Sequence, residues 1–235
     1  MEKKGKDPII MAGHSLGEYS ALVCSQSIKL SDALKLVIFR KILMEKRNKI
    51  NPSAMKIIIG LNKETIIQII KNFQLKKRVD IACINSENQI VIAGYKEDVC
   101  KVASYCKQIG ANKIIKLPSD IISHCNMMKK SSIKLKKMLN KIHIQAPICK
   151  IVNNVDVKCE YSKKNICNAL TKQLYQTVRW KESLEYMQSK NIKLFLEIGN
   201  GTILTNLNKK LINLTSIPLN NLKNIKKALK KTNEK

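Results

Sequence analysis

The chain has 235 residues, of which 44% are hydrophobic, enough for one large domain, or a domain with a smaller one inserted, built on a real core. Its formal net charge of +27 is nearly all lysine spread along the chain, with Arg40, Arg47, Arg78 and Arg179 the only arginines and aromatics at 4%; this argues for compositional drift towards A/T-rich codons and against nucleic-acid binding. No apolar run approaches a bilayer span and residues 1–7 lead into no signal-peptide core, so the expectation is a cytoplasmic protein with no membrane association.

Near the N-terminus an apolar run, 8–12, meets Gly13, then Ser15, then Gly17 and a helix-like stretch over 18–25. This is the pattern of a nucleophile elbow, a strand turning sharply into a helix with serine at the apex. Small residues at Gly13 and Gly17 permit the tight turn, and the helix N-terminus offers its dipole and free N–H groups to an oxyanion. Ser31-Asp32 is expected to cap a second helix, with Ala33, Leu34, Leu36, Val37, Ile38, Leu43 and Met44 as its apolar face. Arg40 falls within that apolar spacing. Either an internal carboxylate or a bound anion accounts for it, or its side chain snorkels to solvent.

From 54 to 117 the pattern is regular: strand 54–61, helix 63–73, strands 79–85 and 89–94 joined by Ser86-Glu87-Asn88, helix 96–109, strand 112–117. The order βαββαβ is that of a ferredoxin-like unit, able to bury its own core and here inserted into a larger α/β body. A loop then crosses back through Pro118-Ser119-Asp120 to His124 and a lysine-rich helix that runs to about 142. His124, at a loop-to-helix junction, is placed to serve a distant nucleophile; His14 is expected to point away across the strand pleat, and His143 lies in a plain connection. The remainder reads as strand 148–155, helix 164–174 with Gln173, helix 180–190, strand 193–198, the turn Gly199-Asn200-Gly201, helix 202–212, strand 217–219 and a basic last helix. The glycine spacing at 199–201 fits no phosphate-binding fingerprint. Eight cysteines without a CxxC pair or tight ligand cluster read as reduced thiols, with Cys125 a packing residue.

Ser15 requires a base, and His124 is the candidate. Asp80 and Asp98 lie between them in chain order, but at positions suited to turns and caps; a backbone carbonyl that orients the imidazole is sufficient for a Ser–His dyad. A cation such as Arg40 beside an acyl-serine argues for an acyl group bearing its own carboxylate.

The runs MAGHSLGEYSALV, FRKILMEK, IIIGL, QIVIAGYKE, ISHCNMMK, IVNNVDVKCE, KQLYQTVRW and EIGNGTILTNL together resemble the bacterial malonyl-CoA:acyl carrier protein transacylases of type II fatty acid synthesis, nearly end to end. The resemblance implies an α/β-hydrolase-like large subdomain over 1–52 and 119–235 with a ferredoxin-like small one over 53–118. It implies that Ser15 takes a malonyl group from coenzyme A, with His124 as base and acid, Arg40 on the malonyl carboxylate, Leu16 N–H as half of the oxyanion hole and Gln173 at the carbonyl that orients the histidine. The partners implied are malonyl-CoA and acyl carrier protein, with no metal or bound organic cofactor, and the protein is expected to be a monomer. Family members carry an N-terminal segment with a GQGSQ-type turn that supplies the other oxyanion donor and a core strand beside the elbow strand; neither is matched here. Asn200 in a GPG-like turn, and Ile122 and Glu87 where proline is frequent, are further departures. Competing readings are a serine esterase or thioesterase and an inactive basic remnant.

Overall fold

The computed structural model describes residues 6–117, 121–211 and 215–233. The elbow strand β1 (Ile10–Ala12) runs into α1 (Leu16–Cys24), followed by the long helix α2 (Leu30–Ile50). Helix α2 starts at Leu30 with Lys29 at its N-cap, so Ser31 and Asp32 belong to its first turn and do not cap it. Asp32 there still favours the positive end of the helix dipole. Ala33, Leu36 and Leu43 are buried as expected, but Leu34 and Ile38 of the expected apolar face are exposed. They align with Leu30 and Ile42 at four-residue spacing along one exposed side of the helix.

The ferredoxin-like order is realised as β2 (Ser53–Ile59), α3 (Lys63–Asn72), β3 (Val79–Ser86), β4 (Gln89–Tyr95), α4 (Lys96–Gln108) and β5 (Lys113–Lys116). The strands form one antiparallel sheet in the order β3-β4-β2-β5. Alternation along the strands gives the sheet two working faces. Ile58, Ile84, Ile90 and Ile92 pack with Ile66, Ile69, Val99 and Val102 of α3 and α4. Met55, Ala82, Cys83, Val91 and Ala93 face the other way, into the core that also holds Tyr19, Leu36, Leu135, Leu170 and Trp180. The sheet is thus one wall of the larger body. It is tied there by a parallel bridge between Cys83 and Val178, with Ile84 N–H donating to Val178 O and Val178 N–H to Ala82 O, both at 2.9 Å.

Pro118, Ser119 and Asp120 of the crossing loop lie outside the described residues. A 3-10 turn at Asn126–Met128 leads into α5 (Lys129–Lys141). Next come β6 (Lys150–Val152), α6 (Lys163–Gln173), α7 (Trp180–Ser189), β7 (Leu194–Glu197), α8 (Ile203–Leu211), β8 (Thr215–Pro218) and α9 (Leu222–Asn233). Strand β6 is shorter than the 148–155 expected from its apolar run, because Asn153 Oδ1 accepts from Val155 and Asp156 N–H at 3.1 and 2.7 Å and turns the chain. After β7 the Glu197 carboxylate accepts from Leu204 and Thr205 N–H at 3.0 and 2.7 Å. The anion at that helix N-terminus is therefore the chain's own side chain. Strand β1 pairs in parallel with β6, and β7 with β8; among the described residues no strand lies on the other edge of β1.

Candidate active site

Ser15 sits at the N-cap of α1 with φ 52° and ψ −100°, a region that costs a non-glycine residue roughly 1–3 kcal/mol. A serine at an N-cap ordinarily bonds the first-turn N–H groups, but here the side chain makes no such bond. Its Oγ is turned to His124 Nε2 at 2.7 Å and to Arg40 Nη2 at 2.7 Å. Gly13 makes the turn possible: a Cβ there would lie 1.9 Å from the carbonyl carbon of Gly17. Gly17, expected to share that role, has open space around its own Cβ position, so the close approach constrains Gly13 alone.

His124 is also held at positive φ, 60°, and is buried. Its Nδ1 meets Gln173 O at 2.6 Å, and its backbone N–H donates to Leu174 O at 2.9 Å. A carbonyl accepts only, so Nδ1 carries the proton and Nε2 is left to accept from the Ser15 hydroxyl. Asp80 accepts from Asn126 N–H and Asp98 from Arg78 Nε, at 2.8 and 2.6 Å; neither is bonded to the imidazole. The orienting group is the carbonyl of Gln173. His14 bonds Asn85 Oδ1 through Nε2 at 2.9 Å, with its ring 5.5 Å from that of Trp180.

Arg40, on the buried side of α2, is 5% exposed, which excludes the snorkelling alternative. Its Nε is buried without a hydrogen-bond partner among the described residues, and its guanidinium lies 5.9 Å from the centre of the Tyr19 ring. No carboxylate is bonded to it among the described residues, so it retains hydrogen-bonding capacity towards a ligand anion. Leu16, half exposed, opens α1, and the N–H of a first helical residue has no intrahelical acceptor.

Two residues with no role assigned from the sequence complete the network. Asn154 Oδ1 accepts Ser15 N–H at 2.7 Å and its Nδ2 donates to Gly13 O at 2.8 Å. Glu18, buried in the first turn of α1, accepts from Asn154 N–H and from Gln173 Nε2 at 3.0 and 2.9 Å. Asn154 had a sequence signal in the asparagine pair that follows an apolar strand. Glu18 had none, since an acid in a first helical turn ordinarily serves the dipole in solvent.

Burial, followed by the charge of Arg40, lowers the His124 pKa to about 3, so the imidazole is neutral and able to accept a proton. Burial raises Glu18 to about 7 against the pull of its two donors and Arg40. The Cys125 thiol is pushed up to about 12 by burial and packs in the core, as expected. A cavity of about 580 Å³ reaches the imidazole, with Lys63, Asp80, Tyr175 and Arg179 among its walls. Among the described residues no group of three or more His, Cys, Asp or Glu is placed to hold a metal ion, and no helix is long and apolar enough to cross a membrane.

Residues 1–218 match the model of the acyl transferase domain family. The chain is 48% identical over 229 residues to the malonyl CoA-acyl carrier protein transacylase of Buchnera aphidicola subsp. Schizaphis graminum, covering 97% of this chain and 74% of that one. It is 42% identical to the enzyme of the same name from Escherichia coli K12, covering 93% and 71%. The malonyl CoA-acyl carrier protein transacylase structure from Coxiella burnetii superposes with a TM-score of 0.93 at 37% identity, over 97% of this chain and 72% of that one. A malonyl-transacylase solved in complex with a type II PKS acyl-carrier protein gives 0.92 at 41% identity, over 97% and 74%. With the serine, histidine and arginine brought together on this fold, the chain belongs to the malonyl CoA-acyl carrier protein transacylase family.

Proposed function

We propose that this protein moves a malonyl group from coenzyme A to the phosphopantetheine thiol of an acyl carrier protein through an ester on Ser15, as a cytoplasmic step of fatty acid synthesis. The observation that carries the reading is the position of Ser15 Oγ, 2.7 Å from a neutral imidazole nitrogen and 2.7 Å from a buried guanidinium. In the first half-reaction His124 Nε2 takes the hydroxyl proton as Oγ attacks the thioester carbonyl. The tetrahedral oxyanion forms at the N-terminus of α1, where Leu16 N–H is the donor that the described residues supply. Collapse expels the coenzyme A sulfur, which receives the proton from His124. In the second half-reaction the carrier thiol gives its proton to His124, attacks the ester and releases Ser15, a ping-pong cycle that returns every proton.

Arg40 supports malonyl as the acyl group. A guanidinium with free donors beside the nucleophile pairs with the terminal carboxylate of the substrate in bidentate fashion. That carboxylate also cancels the positive charge that depresses His124, so the acyl group that fits Arg40 raises the basicity of the histidine that must accept the proton. The experiment is incubation with labelled malonyl-CoA followed by peptide mapping. The label should sit on Ser15 as an ester that passes to a carrier-protein thiol, and it should be absent from Ser15→Ala. Discharge to water in preference to the thiol would sink the transferase reading in favour of a hydrolase.

A further inference from the structure

Glu18 is the one buried carboxylate among the described residues, and no step of the acyl transfer uses it. Its Oε2 accepts from Asn154 N–H at 3.0 Å and Gln173 Nε2 at 2.9 Å, and each donor belongs to a different half of the site. Asn154 clamps the turn that presents the nucleophile, through Ser15 N–H and Gly13 O. Gln173 carries the carbonyl that holds His124 Nδ1, and its Nε2 also reaches Ser15 O at 3.0 Å. The links close a ring: Ser15 Oγ, His124, Gln173, Glu18, Asn154 and back to Ser15 N–H.

We propose that Glu18 is a positioning residue for the transfer, one carboxylate oxygen holding the nucleophile's turn and the carbonyl that aims the base at a fixed separation. The proposal rests on Ser15 as nucleophile and His124 as base, and it is independent of which acyl group is carried. The charged and titratable groups that face Glu18 are Arg40 from α2, Asp156 after β6, which is paired with Lys172 of α6, and Tyr19 beside it on α1. Burial places its titration at about 7. An ionised oxygen holds both donors more strongly than a protonated carboxyl, so the ring tightens as pH rises through that value. His124, neutral down to about 3, contributes no titration there.

The test reads Ser15 with a fluorophosphonate, which labels an activated serine whatever acyl group the site prefers, alongside loading from labelled malonyl-CoA, in the full chain and in Glu18→Gln. Wild-type labelling should rise with pH about a midpoint near 7. Glu18→Gln should label about tenfold more slowly at the alkaline plateau, lack that midpoint, and keep its KM for malonyl-CoA within about twofold. A flat wild-type profile between about pH 6 and pH 8.5, or a folded Glu18→Gln that retains rate and midpoint, would overturn the proposal. If circular dichroism shows that Glu18→Gln does not fold, the wild-type profile decides alone. Fluorophosphonate labelling with the stated pH response but no malonyl loading would remove the malonyl assignment and leave the role of Glu18 standing.

Discussion

In the proposed function Arg40 has two effects, on acyl selectivity and on the proton chemistry of His124, and the two separate by substitution. Arg40→Ala removes a charge-assisted, bidentate contact, so malonyl loading should fall by roughly 3 kcal/mol, about a hundredfold, while acetyl loading falls less. Removing the charge also lifts one of the two leading causes that depress His124, so the acid limb of acetyl loading should move to higher pH in the variant; parallel pH profiles with acetyl-CoA check this. Stability carries the signature of Glu18. Its folded pKa of about 7 stands above the ordinary carboxylate value of 4.5, so it contributes stability below 4.5 that is lost as pH rises through 7. The full difference is about 3 kcal/mol. Glu18→Gln should therefore melt higher than wild type at about pH 8, with the gap closing towards pH 5, while reacting more slowly. His124 runs the other way: its folded pKa of about 3 lies below 6.5, so its contribution is complete above 6.5 and is lost as pH falls towards 3.

At the level of elements, the elbow depends on a single close approach. Gly13→Ala would drive a Cβ into the backbone of Gly17 and Glu18, which must separate β1 from α1; the variant should lose acyl loading together with thermal stability. Gly17→Ala meets open space inside a helix and should raise stability by about 0.5–1 kcal/mol, read as a higher melting temperature. The elements legible in the sequence were those with strong periodicity. The βαββαβ order emerged because Ile58 on β2 and Ile90 and Ile92 on β4, alternating with residues that face the other core, pack against helices whose apolar spacing is unmistakable. Less legible were short strands ended by side chains, as at β6, where the bonds that Asn153 Oδ1 accepts from Val155 and Asp156 N–H outweigh an apolar run. The start of α2 was misplaced for a related reason: Ser31-Asp32 has the composition of a cap, but its residues lie in the first turn of a helix that begins at Leu30.

For the molecule as a whole, the residues that meet at the site were legible for different reasons: Ser15 from the glycine spacing of an elbow, His124 from its loop-to-helix junction, and Arg40 from a charge within an apolar spacing. Asn154 and Glu18 act through partners 136 and more residues away, and no local pattern records such pairing. Sequence also left unread which sides of α2 are covered. Leu30, Leu34, Ile38 and Ile42 form an exposed apolar stripe, and β1 has an unpaired edge among the described residues, so the chain should bind an apolar reporter dye while folded. Ile38→Lys should reduce that fluorescence without shifting the melting temperature by more than a degree or two. The bridge between Cys83 and Val178 has a consequence for how the molecule opens. Strand β3 carries both the two bonds to residue 178 and Asn85, the partner of His14, so the small sheet cannot leave the body without releasing a wall of the site. The amides of Ile84 and Val178 should thus exchange with solvent as one cooperative unit, and the rate at which they do so measures how often the catalytic cleft comes apart.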